Sequence, residues 1–213
     1  MTLFNHYSAL FFSGFGYTIL ASLIALVASL ILGTFFALLQ LSKKRFLAML
    51  GNAYVQFLRN VPLLIITLFF YLAVAKVIKM TGFVSGTVAL SLYTSAFIAE
   101  SVRAGILAID HGQMEGALAN GLSYGQAMSR VVLPQAFKVA LPSLGNQLIN
   151  LVKNSSILAF VGGLDLMYQG NLVAASSFDT FTSYLVVGLF YLVLTLPLSY
   201  VMQYLEEHLQ ESR

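Results

Sequence analysis

Three charged side chains stand within or beside long apolar stretches of the sequence: Glu100, Arg103 and Lys153. A charged side chain at the centre of a membrane helix costs about 2.5 to 3.5 kcal/mol on insertion scales, so such a residue needs a partner or a polar pathway. Glu100 and Arg103 are three residues apart and therefore share one face of a helix. A carboxylate and a cation placed in this way either neutralise each other or bind a small solute of complementary charge.

Further polar and aromatic residues near these charges are candidates for the same pathway: Phe97, Asn154, Ser155, Ser156 and Asp165. An acidic residue at the end of an apolar run, such as Asp165, is more often a solvated helix end than a ligand contact. Arg59 stands near the start of another apolar run, where its long side chain can reach the lipid headgroups. We therefore expect Arg59 to anchor a helix rather than to bind a solute.

The composition identifies an integral membrane protein. Of 213 residues, 59% are hydrophobic and only 9% are charged, against about 25% charged in soluble domains. The net charge of +3 is spread along the chain, which favours membrane topology over nucleic-acid binding. The chain has no cysteine, and its three histidines lie outside the apolar runs, so we predict neither a metal site nor a catalytic site.

Apolar runs of about 20 residues predict a single all-α membrane domain over residues 1–213 with five transmembrane helices. The predicted spans are 14–41, 54–75, 84–106, 143–164 and 181–204, with a cytoplasmic helical loop over 107–142. Lys43, Lys44 and Arg45 follow the first span and place that end in the cytoplasm by the positive-inside rule. The N-terminus is then outside and the C-terminus cytoplasmic, although Lys76 and Lys79 count against this orientation.

The loop carries a spaced motif of small, acidic and proline residues: Gln113, Glu115, Gly116, Ala117, Gly121, Leu133 and Pro134. Small residues and a glycine allow a short helix to end sharply, so that it can lie along the membrane face and dock on a partner. The intervals resemble those of the EAA signature of ATP-binding-cassette importer permeases, with Gly116 in place of the second alanine. The resemblance implies that this segment couples the chain to an ATPase.

Other segments resemble the polar amino acid importer permeases in particular. These are Gly16–Ile19, Phe57–Pro62, Ala96–Ile106, His111–Glu115, Leu133–Ala136 and Lys153–Ile157. Phe97 and Asn154 depart from the family pattern, which has tyrosine and aspartate at those positions. The resemblance extends over essentially the whole chain and implies a type I importer permease fold.

The family resemblance implies a set of partners in a bacterial cell membrane. It implies an ATP-binding-cassette ATPase dimer, a second permease chain that is identical or similar, an extracytoplasmic solute-binding protein, a polar amino acid and surrounding lipid. The sequence contains no P-loop, so ATP and Mg²⁺ are expected on the partner ATPase, and this chain is expected to hold no cofactor.

Two questions stay open from the sequence. Glu100 either pairs with Arg103 or Lys153 only to neutralise charge, or meets the ammonium of an amino acid while one of these cations meets its carboxylate. The spans contain no extra carboxylate for a cationic side chain, which favours a glutamine- or glutamate-like substrate. The alternatives are a permease for a basic amino acid such as arginine or histidine, and a passive small-solute pore.

Overall fold

The computed structural model describes residues 2–210, which contain ten α-helices and no β-strand. The helices are α1 (Thr2–Gln40), α2 (Arg45–Asn60), α3 (Leu63–Phe69), α4 (Ala75–Ile78), α5 (Gly82–Leu107), α6 (His111–Ala119), α7 (Tyr124–Ala127), α8 (Leu133–Asn154), α9 (Leu166–Ser177) and α10 (Thr180–Gln210). Two π-helical turns, Phe70–Val74 and Met128–Val132, join α3 to α4 and α7 to α8, and a 3₁₀ segment, Ser155–Val161, continues α8.

Three of these helices, α1, α5 and α10, are each long and apolar enough to cross a membrane. Two further spans are possible if each of two bent helix pairs counts as one crossing. The all-helical architecture with up to five spans agrees with the prediction from the sequence.

The second predicted span, 54–75, is not one straight helix. The chain bends by 103° between α2 and the helical stretch Leu63–Ile78. Val61 is extended, with φ −101° and ψ 131°, because the ring of the following Pro62 disfavours the helical conformation of the preceding residue. The bend places the last turn of α2 beside α5 instead of continuing along the α3 axis.

The predicted loop and fourth span also differ from the structure. Helix α8 begins at Leu133, inside the predicted loop over 107–142, and runs without interruption past Pro142 to Asn154. The expected fourth span, 143–164, is therefore the second half of a longer helical stretch that bends by 51° before α9. Gly162, which has a φ of +68°, ends the 3₁₀ segment at this bend.

Close contact between helices depends on small residues. A Cβ atom on Gly33 of α1 would lie 2.6 Å from Ile98 of α5, and one on Gly105 of α5 would lie 2.8 Å from Ala140 of α8. At these separations only glycine lets the backbones approach, as in other membrane helix bundles. Helix α5 is consequently held between α1 and α8, and its remaining side faces α2.

Candidate functional site

Three charged residues come together where α2 ends beside α5. Arg103 donates to both oxygens of the Glu100 carboxylate, from Nη2 to Oε1 and from Nε to Oε2, the latter at 3.4 Å. The Nη1 atom of Arg59, at the end of α2, lies 3.6 Å from Oε2 of Glu100. We call Arg59, Glu100 and Arg103 the arginine–glutamate cluster.

The arginine–glutamate cluster does not neutralise itself. Two guanidinium groups share one carboxylate, which leaves one positive charge in excess. The three side chains keep between 26% and 34% of their surface exposed. A cluster built only to cancel charge needs a single arginine, and the second one is therefore free to attract an anionic group such as a carboxylate.

The structure adds an ion pair to the anchoring role expected for Arg59. This side chain is not only a headgroup anchor, because it takes part in an ion pair, and its guanidinium also lies 5.6 Å from the centre of the Phe97 ring. Phe97 in turn contacts Tyr93, with ring centres 4.9 Å apart. The sequence alone missed Arg59 because its partner lies 41 residues away, and only the bend at Pro62 brings them together.

Lys153 lies apart from the arginine–glutamate cluster. The Ser101 hydroxyl, next to Glu100, contacts that of Ser143 at 2.7 Å, and Lys153 is ten residues further along α8, about 15 Å at 1.5 Å per residue. Within residues 2–210, Lys153 forms no ion pair. Of the two pairings left open by the sequence, the structure therefore contains Glu100 with Arg103 and not Glu100 with Lys153.

Lys153 instead lines a cleft of 440 Å³ between the end of α8, α9 and α10. Its other lining residues are Ser156, Met167, Tyr184, Val187, Gly188 and Tyr191. None of these described lining residues is acidic. The cleft therefore presents one cation, a hydroxyl group and two phenol rings to a solute.

The polar residues after Lys153 are not equally available. The Ser155 hydroxyl is fully buried and donates to the Val152 carbonyl at 2.7 Å, and the Ser156 hydroxyl donates to the Lys153 carbonyl at 2.9 Å. Asn154 is half-buried, and its amide makes no hydrogen bond to the described residues. Of these three, Asn154 has the most unused hydrogen-bonding capacity.

Asp165 is not a solvated helix end, which corrects the sequence-based expectation. It is completely buried at the start of α9, where Oδ2 accepts a hydrogen bond from the Met167 amide at 3.0 Å. The other oxygen, Oδ1, has no hydrogen-bond partner in the part of the chain that is described. Asp165 therefore caps α9 and does not face an open pathway.

Several buried polar groups surround Asp165. The Thr18 hydroxyl accepts a hydrogen bond from the Leu166 amide at 3.0 Å, and the side-chain oxygens of Gln169 and Tyr191 are buried without a well-formed hydrogen bond to the described residues. We call Asp165, Thr18, Gln169 and Tyr191 the buried polar cluster. It joins α1, α9 and α10 and contains no arginine or lysine.

The motif in the predicted loop forms an exposed helix at one end of the molecule. Asp110 caps α6 by accepting a hydrogen bond from the Gly112 amide at 2.7 Å. Gln113, Glu115 and Gly116 are exposed on α6, whereas Ala117 is buried against the rest of the chain. The acidic side of α6 is therefore open to a partner.

Gly121 ends this helical segment sharply. Its φ of +86° lies in the left-handed region, which residues with a side chain rarely adopt, and no atom lies within 4 Å of a Cβ built there. The Gly121 amide donates to the Leu118 carbonyl at 3.0 Å, which closes the turn. The constraint at Gly121 is therefore one of backbone conformation and not of space.

The second half of the motif fixes α6 to α8. Leu133 and Pro134 begin α8 directly after the π-helical turn Met128–Val132, within one continuous helical stretch, and Pro134 lacks the amide hydrogen of an ordinary helical hydrogen bond there. The side-chain amide of the next residue, Gln135, donates to the Gln113 side-chain oxygen at 3.1 Å. A displacement of α6 can thus pass directly to a helix that reaches the cleft beside Lys153.

Comparison with known proteins gives a consistent family assignment. Residues 29–211 match the model of the family described as binding-protein-dependent transport system inner membrane component. The chain is 52% identical over 211 residues to a probable glutamine ABC transporter permease protein of Bacillus subtilis, covering 99% of this chain and 97% of the relative. It is 38% identical over 170 residues to a probable amino-acid ABC transporter permease protein of Vibrio harveyi, covering 78% and 76%.

Solved structures agree with this assignment. The crystal structure of an amino acid ABC transporter with histidines contains a chain that superimposes with a TM-score of 0.87 at 33% identity, covering 95% of each chain. An inward-facing methionine ABC transporter shares the fold, with a TM-score of 0.73 at 20% identity over 93% of this chain and 94% of that one.

Proposed function

The chain belongs to the family of binding-protein-dependent transport system inner membrane components, and on that premise we propose that it is the permease subunit of an ATP-driven importer for glutamine. Two such chains, or this chain and a similar one, form the pathway across a bacterial cell membrane. The N-terminus is outside and the C-terminus cytoplasmic, because Lys43, Lys44 and Arg45 then lie on the cytoplasmic side together with α6.

The proposed energy source is a partner ATPase that binds α6. The observation that carries this proposal is the exposed α6, capped by Asp110, ended by the left-handed Gly121 and tied to α8 through Gln113. ATP binding closes the ATPase dimer and moves α6, and the Gln113–Gln135 hydrogen bond between α6 and α8 passes the movement towards the helices that line the pathway. An extracytoplasmic solute-binding protein delivers the amino acid.

The substrate is inferred from the charges available to it. The excess positive charge of the arginine–glutamate cluster suits the α-carboxylate of an amino acid, while Glu100 suits its ammonium. A cationic side chain needs a further carboxylate, but Asp165 is buried and the described lining of the cleft beside Lys153 has no acidic residue. A neutral amide side chain fits this distribution, and the 52%-identical relative named for glutamine supports it.

The role of α6 is tested with two alanine substitutions in the transporter assembled with its ATPase and reconstituted in proteoliposomes. Gly121→Ala forces a residue with a side chain into a positive-φ conformation, which costs about 1 kcal/mol or more. Gly116→Ala is the matched control, because a Cβ there also meets no atom within 4 Å and φ is not positive. We expect Gly121→Ala to lower glutamine uptake per ATP hydrolysed and Gly116→Ala to leave that ratio unchanged.

The same assay separates the importer from the alternatives. Uptake of labelled glutamine against a gradient, dependent on ATP and on the binding protein, supports the proposal. Flux that persists without nucleotide indicates a passive pore instead. ATPase stimulation by arginine or histidine, with none by glutamine, indicates a permease for basic amino acids.

A further inference from the structure

A long apolar groove runs along the side of the molecule between α1, α5 and α8, away from the arginine–glutamate cluster on the α2 side of α5. Two cavities form it, one of 290 Å³ beside Leu30 and Thr34 and one of 590 Å³ beside Leu38 and Lys43. Both cavities are lined by Ile106 and Leu133, so they adjoin. We call this feature the α1–α8 groove.

The α1–α8 groove has the length of one lipid leaflet. Leu30, Thr34 and Leu38 follow one another on α1 at intervals of four residues, so they lie on one helix face, and Leu41 follows directly after the helix end. Eleven residues of helix extend about 16 Å, close to half of the ~30 Å hydrocarbon thickness of a bilayer. The groove thus runs from one membrane surface to about the bilayer centre.

The floor of the groove is closed and its rim is open. Ala136 and Ala140 of α8 are almost fully buried, and Gly105 packs directly on them, so α5 and α8 leave no gap beneath. Leu38 and Phe137 stand on opposite sides with 56% of their surface exposed. The lining of the 290 Å³ cavity is apolar apart from Thr34 and therefore suits a hydrocarbon chain.

The open end of the groove is basic. Lys43 lines the lower cavity, Lys44 and Arg45 follow it, and all three side chains are exposed and form no ion pair within residues 2–210. The Lys43 ammonium lies 5.8 Å from the centre of the Tyr124 ring. The one acidic residue in the lining, Asp110, is engaged in capping α6.

We propose that the α1–α8 groove binds one acyl chain of an anionic phospholipid, whose phosphate lies at Lys43 and its two basic neighbours. Clustered basic side chains at a membrane surface select anionic over zwitterionic headgroups. The apolar groove below them holds the chain of the same lipid. Because Lys43 also contacts Tyr124, just beyond α6, the bound lipid lies beside the segment proposed to couple to the ATPase.

Tryptophan fluorescence tests the site directly, because the chain has no tryptophan of its own. Phe137→Trp places a reporter in the groove. Phe35→Trp is the matched control, since Phe35 is similarly exposed, at 54% against 56%, and directly follows the groove residue Thr34 but is not in the lining. The full-length chain is placed in nanodiscs that contain brominated phosphatidylglycerol or brominated phosphatidylcholine, at the same total bromine content.

From the quenching of Phe137→Trp, we expect brominated phosphatidylglycerol to bind beside this reporter about fivefold more strongly than brominated phosphatidylcholine. Both lipids should quench the fluorescence of the Phe35→Trp control equally. Adding Lys43→Ala should lower the preference severalfold, whereas Lys76→Ala, a change of an exposed lysine away from the groove, should not. Excess inorganic phosphate should not reverse the quenching, because the acyl chain contributes most of the contact.

Two results overturn the proposal. Equal quenching of the Phe137→Trp reporter by both lipids shows that the groove does not select anionic headgroups. Quenching of Phe35→Trp without quenching of Phe137→Trp by either lipid shows that protein, such as a second copy of the chain, fills the groove.

Discussion

Two carboxylates in the membrane domain have opposite surroundings. Glu100 is held by Arg59 and Arg103 and keeps about a quarter of its side chain exposed, whereas Asp165 is completely buried in the buried polar cluster, which has no arginine or lysine. Both residues stood out in the sequence as acidic groups in apolar surroundings. The structure separates them, because Glu100 forms its ion pairs at a partly exposed position and Asp165 is closed off from the surface.

The difference follows from what each carboxylate does for the chain. Asp165 accepts a hydrogen bond from the Met167 amide at the start of α9, and any acceptor of similar size can make this contact. Glu100 balances charge, and only an anion can do so. Replacing each carboxylate by its amide is therefore expected to have unequal effects.

The largest expected effect is that of Glu100→Gln. The change leaves Arg59 and Arg103 beside each other without their shared anion and removes the group proposed to meet the substrate ammonium. A hydrogen bond to a charged group contributes about 1.5 to 3 kcal/mol, so loss of the carboxylate proposed to meet the substrate ammonium should lower glutamine uptake in proteoliposomes about tenfold or more. Glu207→Gln, at an exposed position where the side chain bonds only Gln203 among the described residues, is the control and should transport normally.

The next largest effect is expected for Arg59→Gln. This change removes the excess positive charge and leaves Glu100 paired with Arg103. If Arg59 receives the substrate carboxylate, the KM for glutamine should rise about tenfold with little change in kcat, because a hydrogen bond between charged groups contributes about 1.5 to 3 kcal/mol. The KM of Arg59→Lys should lie between those of the unmodified chain and Arg59→Gln. An unchanged KM for Arg59→Gln would show that Arg59 has only a structural role.

A smaller effect, on stability instead of transport, is expected in the buried polar cluster. Asp165→Ala removes the cap of α9 and should lower the free energy of unfolding by about 1 kcal/mol. Asp165→Asn keeps an oxygen that accepts the Met167 amide and should change stability by only a few tenths of a kcal/mol. Thermal unfolding of the purified chain in detergent measures both, and equal losses for the two variants would show that the negative charge itself matters.

The smallest effect is expected for Tyr191→Phe. The Tyr191 hydroxyl is buried without a well-formed hydrogen bond to the described residues, so its removal should change the free energy of unfolding by less than about 0.5 kcal/mol. Tyr54→Phe, in the α2–α5 interface near the arginine–glutamate cluster, removes a 2.7 Å hydrogen bond to Ser95 and should cost about 1 kcal/mol. Equal losses in the same unfolding assay would show that the Tyr191 hydroxyl bonds its neighbours Thr18 and Ser155 as strongly as Tyr54 bonds Ser95.

Local features of this molecule could be predicted from the sequence. The presence of long apolar helices follows from the apolar runs, the shared helix face of Glu100 and Arg103 follows from their spacing of three residues, and the left-handed turn at Gly121 agrees with the expected sharp end of α6. Each of these depends on residues close together in the chain.

The remaining features depend on how distant segments pack. The angle of the bend at Pro62 decides whether Arg59 meets Glu100 or the lipid headgroups, and proline specifies only that the helix is interrupted there. Likewise, the packing of α1 and α10 on α9 buries Asp165, and the length of α8 separates Lys153 from Glu100. No single-residue signal in the sequence carries this information.

The most direct test of the contrast between the two carboxylates is glutamine uptake by Glu100→Gln and Asp165→Asn, measured side by side in proteoliposomes at equal incorporated protein. The two substitutions make the same chemical change, from carboxylate to amide. We expect uptake to fall about tenfold or more for Glu100→Gln and to stay within about twofold of the unmodified chain for Asp165→Asn. Equal losses, or a greater loss for Asp165→Asn, would contradict the placement of the substrate pathway at the arginine–glutamate cluster.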